Sequence, residues 1–384
     1  MQTSTDHIVT THTGSLPRPP ALVEALVARD RGKLGADKLD DLDRDVRDAV
    51  CGAVRAQIAA GVEVVNDGEM GKISYSTYVK ERLSGYEVKK TAPLPPALDM
   101  VDYPGLAKDS FRGVVLHLPV CTGDIAFKAP EAVTADTEAL REAANGVTAG
   151  DLFLSAASPG VISLFLANEH YPDHESYVFA LAEAMKHEYN AIHAAGVLVQ
   201  VDCPDLAMGR HVQFGGASLE EFRRNAAIHV EALNHALSDI PADRLRMHLC
   251  WGNYEGPHDH DVPLPDIFDI VMKAKPQVLL LEGANPRHEH EWAVFRDHKL
   301  PDDKVLVPGV IDSTSNYVEH PELIAQRIER YANVVGKERV MAGSDCGYAT
   351  TAGSGGVEPG VVWKKLKSLA EGARIATTRL WHGS

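Results

Sequence analysis

Short runs rich in β-branched residues alternate with long amphipathic stretches along most of the chain, and this alternation constrains the fold more than any other feature. Strand-then-helix repetition predicts β-α units around a parallel sheet. The strand-like runs fall at residues 62–66, 113–118, 151–156, 198–202, 246–250, 278–282, 305–311 and 340–344. Helical stretches are predicted at 175–195, 219–237, 321–335 and 360–378. No Gly-x-Gly-x-x-Gly turn opens a helix, so the α/β class resolves to a single (β/α)8 TIM barrel rather than a doubly wound sheet. Residues 1–384 are read as one barrel domain, with 45% hydrophobic residues, enough to bury one large core. Residues 88–112, with several prolines and no clean period, read as an inserted arm that is either a lid or a surface excursion. Gly353-Ser354-Gly355-Gly356 lacks the Lys-Ser/Thr of a phosphate loop and reads as a surface loop at the mouth of the barrel.

Charge and cysteine usage exclude several classes. A formal net charge of -16 argues against nucleic-acid or anionic-membrane partners, which require a basic surface. Apolar runs such as 278–281 are too short to cross a bilayer, and the N-terminus lacks a basic start followed by an apolar stretch. A cytoplasmic, reducing location is expected, with oligomerisation left open. The cysteines, Cys51, Cys121, Cys203, Cys250 and Cys346, are odd in number, so free thiols or metal ligands are expected rather than a disulfide framework.

Placed on the strand map, His248, Cys250, Glu282 and Cys346 fall at or just beyond the C-terminal ends of three strands. That end of a barrel carries its chemistry. His248 and Cys250 are two apart, so on one strand they project to the same side. Singly, each has a plain reading: a buried core thiol, or a hydrogen-bonded structural His or Glu. Together, two thiolates, an imidazole and a carboxylate make a tetrahedral set suited to Zn2+.

The segments around these residues resemble the cobalamin-independent methionine synthase family. The resemblance is carried by Met247-His248-Leu249-Cys250, by Leu280-Leu281-Glu282 and by Ser344-Asp345-Cys346-Gly347. Thr13-Gly14-Ser15-Leu16-Pro17, Asp67-Gly68-Glu69, Asp202-Cys203-Pro204 and Pro308-Gly309-Val310-Ile311-Asp312 extend it over nearly the whole chain. The resemblance implies a catalytic barrel in which zinc, held by His248, Cys250, Glu282 and Cys346, binds the acceptor thiol as the carboxylate ligand loosens. A metal-bound thiol loses its proton near neutral pH yet remains nucleophilic. By position, Ser15 would hold the acceptor's carboxylate. Glu69 and Asp202, the catalytic carboxylates of this reading, would hold its ammonium. The implied activity is S-methyl or S-alkyl transfer to homocysteine from a small-molecule donor such as a methylated folate.

Two departures qualify the expectation. The chain has the length of one barrel, whereas folate-using relatives have two, which leaves the donor open. The family's catalytic His falls here on Thr314, so a proton donor must come from elsewhere, with His258, His260, His288 and His320 as candidates. A rival of the same chemistry resembles epoxyalkane:coenzyme M transferase, which alkylates a different thiol. A rival of another class is a metal-free lyase similar to uroporphyrinogen decarboxylase, with arginine-rich contacts. Cys203 reads as a core thiol or an extra sulfur near the metal. The loop 251–258 reads as a donor contact or a packed rim, and Lys72, Tyr75 and Tyr78 as contacts to an anion or a solvated helix face.

Overall fold

The computed structural model describes residues 1–106 and 117–383. Its centre is a 7-stranded parallel sheet built from β1 (Val64–Asn66), β4 (Asp151–Ala157), β5 (Leu198–Asp202), β6 (Leu245–Leu249), β7 (Val278–Leu281), β8 (Val305–Ile311) and β9 (Gly343–Ser344), paired in that order. Two further strands, β2 (Tyr86–Thr91) and β3 (Pro119–Cys121), form a separate antiparallel pair.

The N-terminal segment joins the two edges of the main sheet. Thr10 O accepts from Val64 N (3.0 Å), Thr11 N donates to Ala342 O (2.9 Å), and Ala342 N donates to Val9 O (2.9 Å). Residues 9–11 thus act as the eighth stave and close a TIM-type barrel. Of the expected strands, residues 113–116 of the 113–118 run lie outside the described residues. The adjoining Pro119–Cys121 pairs with β2, away from the barrel. The stave at 9–11 carries its own signal, the β-branched run Ile8-Val9-Thr10-Thr11, but no amphipathic helix follows at once to mark it as a β-α unit.

Period-2 alternation sorts each strand. Leu198, Val278, Leu280, Val305 and Val307 turn into the barrel with Val9, Val64 and Phe153, forming an apolar layer at its base. Val199, Val201, Met247, Leu249, Leu279 and Leu281 turn outward into the large core under the helices. Above the base the inward positions become polar. The Arg246 guanidinium lies 3.8 Å from the Phe153 ring centre and donates to Thr11 Oγ1 (2.9 Å) and His12 O (3.0 Å). One step further up come Asp202 and His248, the inward residues at the strand tops.

The helices His174–Ala194, Leu219–Ala236, Pro321–Val335 and Pro359–Thr377 lie within one residue of the predicted bounds. Their starts carry side-chain caps: Asp173 accepts from Ser176 N (2.7 Å) and Ser218 from Glu221 N (3.1 Å). The part of the inserted arm that is described includes the end of β2 and the helix Leu98–Asp102, which crosses the C-terminal face of the barrel. Asp99 Oδ2 pins it there, accepting from Tyr254 Oη and His258 N (2.7 Å each). No described helix is long and apolar enough to cross a membrane.

Candidate active site

Because His248 is the last inward-pointing residue of β6 and Cys250 follows two residues later, both project over the barrel axis. Cys346 follows β9 and meets them from the other side, its Sγ 4.0 Å from Cys250 Sγ. The ligand atoms of His248, Cys250 and Cys346 all lie within 4.8 Å of one another, and all three residues are buried. A tetrahedral ion with metal-sulfur bonds of about 2.3 Å places its sulfurs about 3.8 Å apart, close to the separation found. Both ring nitrogens of His248 are buried without a hydrogen-bond partner. An orphaned buried polar group costs about 1–3 kcal/mol unless something binds it. The donor set therefore fits a thiophilic divalent metal.

Glu282, the fourth expected ligand, is not part of this 4.8 Å group, and its oxygens are engaged: Oε1 accepts from Trp251 N (2.8 Å) and Oε2 from Asn285 Nδ2 (3.1 Å). Burial, reinforced by the charge of Cys250, pushes its carboxyl up to about 8. The hydrogen bond from Cys346, opposed by burial and aided by His248, holds the Cys250 thiol well below the ordinary range. Burial works against the His248 imidazolium, yet Cys250, Asp202 and Glu282 around it raise its pKa overall.

Asp345 ties two strand ends together. Its Oδ1 accepts from Gly283 N and Ala284 N (2.8 Å each), which fixes the turn after Glu282 relative to Cys346. The carboxylate lies over Gly309, where an added Cβ would fall 2.0 Å from Oδ1. Asp345→Ala leaves two buried N–H groups without an acceptor. It is expected to lower unfolding free energy by about 2–3 kcal/mol, while Asp345→Asn, which keeps an acceptor, loses less. Denaturant midpoints of the two variants check this, and an Ala variant as stable as the parent would refute the bridging role.

A second group of polar residues lines the same cavity. Glu69 follows Gly68, and both have left-handed backbones (φ 58° and 66°). That conformation is costly for glutamate and persists only where its surroundings enforce it. Here Asp67 Oδ1 accepts from Glu69 N (2.9 Å), and Arg18 clamps Glu69 O through Nη2 (2.7 Å) and Nε (3.2 Å). Gly14 passes so close that a Cβ would lie 2.7 Å from both Glu69 Oε1 and Ser155 Oγ. Ser15 Oγ accepts from Ala349 N (3.3 Å), and a Cβ on Gly347 would fall 2.1 Å from it. Asp202 Oδ1 accepts from Gln200 Nε2 (2.9 Å). Burial pushes Glu69 up to about 7 and Asp202 up to about 6, against the pull of Lys72 on both and of His248 on Asp202.

Ser15, Glu69, Asp202, His248, Cys250 and Cys346 thus line one cavity of about 1110 Å³ at the top of the barrel. Tyr75, Gly252–Pro257 and Ser354–Gly356 also border it, as does Thr314. The Thr314 hydroxyl donates to Asp312 Oδ1 (2.8 Å). Lys72 is buried on the Ser155 carbonyl and Tyr78 donates to Glu188 Oε1 (2.5 Å), so neither is a solvated face nor lines the cavity. Cys203 is a buried thiol with its Sγ on Val201 O (3.8 Å).

The four candidate histidines stand elsewhere. His258 and His288 share Asp261 Oδ2 (2.8 Å each) behind the rim, His260 bonds to Asp102 (2.7 Å), and His320 caps a helix by accepting from Glu322 N (3.1 Å). The cavity's second imidazole is His211, which the sequence reading passed over because it sits in an irregular stretch after β5. His211 Nε2 donates to Trp251 O (2.9 Å), which leaves Nδ1 buried without a partner.

Residues 8–358 match the family described as cobalamin-independent synthase, catalytic domain. The chain belongs to this family, and with it to the transferase enzymes. It is 26% identical over 377 residues to a methionine synthase of Saccharolobus solfataricus, covering 97% of this chain and 95% of that protein. A Thermococcus kodakarensis methionine synthase is 24% identical over 372 residues, covering 96% and 93%. A B12-independent methionine synthase from a Shewanella species, solved with selenomethionine, superposes with a TM-score of 0.74 at 20% identity, covering 98% and 99%. A vitamin-B12-independent methionine synthase, described as putative, from Listeria monocytogenes gives 0.65 at 19%, covering 96% and 98%. These two likenesses establish the fold.

Proposed function

We propose that the chain works as a single catalytic barrel that methylates the sulfur of homocysteine, with zinc held by His248, Cys250 and Cys346 and with Glu282 as the exchangeable fourth ligand. The observation that carries the reading is the partnerless His248 imidazole facing two thiols at the floor of a cavity walled by carboxylates. Bound there, zinc lowers the pKa of an entering thiol so that it is a nucleophile near neutral pH. Glu282 keeps Trp251 N and Asn285 Nδ2 as alternative partners, so it has somewhere to go when it yields its place.

The residues above the floor suit an amino acid. Glu69 and Asp202 receive an ammonium, and Ser15, beside the Cys346-Gly347 turn, receives the carboxylate through its hydroxyl. That pairing favours homocysteine over a thiol without an ammonium, such as coenzyme M. Among the described residues no arginine lines the cavity, and the lining they do supply, thiols, imidazoles and carboxylates, favours the thiol-transfer reading over a decarboxylase acting on a polycarboxylate. His211, with Nδ1 unpartnered and burial lowering its pKa, is the neutral imidazole positioned to take up the proton the thiol sheds and pass it to the departing side of the donor. The family relatives named methionine synthase point the same way.

Zinc-edge X-ray absorption on the purified protein tests the reading. Two sulfur neighbours are expected without substrate, and three with homocysteine. A shell that no thiol alters would refute it.

A further inference from the structure

Behind the rim of the cavity a second group of ligating side chains converges. His258 and Asp261 lie in the loop between β6 and the helix Leu264–Val271, and His288 lies in the loop after β7. One ligand atom from each falls within 4.8 Å of the others. His258 Nδ1 and His288 Nε2 both point at Asp261 Oδ2, each 2.8 Å away, and all three side chains are buried. Asp261 Oδ1 finds no hydrogen-bond partner among the described residues. His211 Nε2 stands 3.4 Å from it but donates to Trp251 O.

The outward ring nitrogens show the arrangement that metal-bound histidines have. A ligating imidazole donates its other N–H to a carboxylate or a backbone carbonyl, which fixes its tautomer and orientation. His288 Nδ1 faces Glu291 Oε2, and His258 Nε2 faces Tyr254 O (3.1 Å each). Glu291 is anchored in turn, its Oε1 accepting from Leu264 N (2.7 Å). His258 has a left-handed backbone (φ 55°), costly for any residue with a side chain, and Asp99 Oδ2 holds it by accepting from its N (2.7 Å). A cavity of about 480 Å³ lined by Asp261, His288 and Glu291 opens beside the group and gives an ion and its water ligands a way in. Arg287, which also lines it, is turned to Asp259 (3.8 Å). A proton competes for the same place: against burial, Asp261 and Glu291 push the His288 pKa up to about 10, so an ion entering here displaces it.

We propose that His258, Asp261 and His288 bind a second divalent metal ion. Two imidazoles and a carboxylate without sulfur suit the harder first-row ions, Mn2+, Fe2+ or Co2+, and leave zinc to the thiols at the cavity floor. The ion ties two barrel-top loops together. The Trp251 ring stacks on His288 (centroids 4.0 Å apart) and Trp251 N donates to Glu282 Oε1 (2.8 Å), so the ion braces the peptide that holds Glu282.

Cobalt titration of the zinc-loaded protein at pH 8, where protons compete less, tests this. One Co2+ per chain is expected, with Kd tighter than about 100 µM. Its visible bands should be the weak ones of nitrogen and oxygen coordination, without intense sulfur-to-cobalt charge transfer, and the zinc content should not change. The NMR spectrum should gain two exchangeable, paramagnetically shifted imidazole N–H resonances, from His258 Nε2 and His288 Nδ1. His258→Gln and Asp261→Asn are each expected to weaken Co2+ binding about 100-fold or more. His260→Gln, which changes a histidine bonded to Asp102 outside the group, should leave it as it is. Affinity weaker than that limit, cobalt that displaces zinc or takes sulfur ligands, or retention of parent affinity by His258→Gln and Asp261→Asn overturns the proposal. Where those variants fail to fold, the spectra of the parent decide by themselves.

Discussion

Cys346→Ser is expected to cost the protein most of its zinc and all measurable methyl transfer while leaving the barrel folded. Structural zinc sites bind with about 10–16 kcal/mol shared among four ligands, so one ligand carries roughly 3–4 kcal/mol. That corresponds to a loss of about 10²–10³-fold in affinity. The fold should persist because the thiol is not part of the packing that holds the barrel. Cys346 belongs to the polar layer above the apolar base formed by Leu198, Val278, Leu280 and Val307. Serine is nearly isosteric, and the Asp345 bridge to Gly283 and Ala284 remains. Zinc content after dialysis against a weak chelator, read beside the thermal transition, separates the two effects. Full retention of zinc would dismiss Cys346 as a ligand, and collapse of the fold would make the site structural rather than catalytic.

The sequence made the strand tops readable because the barrel imposes a simple rule there. Inward positions repeat every second residue, so an apolar run that ends in a polar or sulfur-bearing residue announces a site. Residues 198–202 and 246–250 show this, with Leu198, Gln200 and Asp202 on one face and Arg246 and His248 on the next. Strand bounds at 305–311 and helix bounds at 321–335 also agree, since their turn and cap residues are local signals. What the sequence hid depends on distant parts of the chain. The eighth stave is defined by hydrogen bonds from residues 9–11 to Val64 and Ala342, partners far along the chain. His211 joins the cavity only because the loop after β5 folds back so that its Nε2 reaches Trp251 O. The left-handed Glu69 needs Arg18 and Asp67 to hold it, a requirement that no local pattern states.

Asp202→Asn is expected to raise KM for homocysteine by about 10–100-fold, the value of one charge-assisted hydrogen bond of about 1.5–3 kcal/mol, and to change KM for mercaptoethanol little. Asparagine keeps an oxygen for Gln200 Nε2, so the site's shape is retained and the missing charge is what is measured. The pH profile provides a second signature. Burial raises Asp202 to about 6 and Glu69 to about 7, so below those values both are neutral and hold an ammonium poorly. Homocysteine binding should therefore strengthen as pH rises from 5 to 8 and then level off. Stability of the ligand-free protein should run the opposite way. A carboxyl whose folded pKa lies above its unfolded value of about 4 contributes stability below that value and loses it as pH climbs through 6 to 7. The ammonium of the acceptor cancels that loss, so the thermal shift produced by homocysteine should grow with pH in the parent and grow less in Asp202→Asn. Equal KM losses for both thiols, or a thermal shift indifferent to pH, would remove Asp202 from the acceptor site and leave it as a structural partner of Gln200.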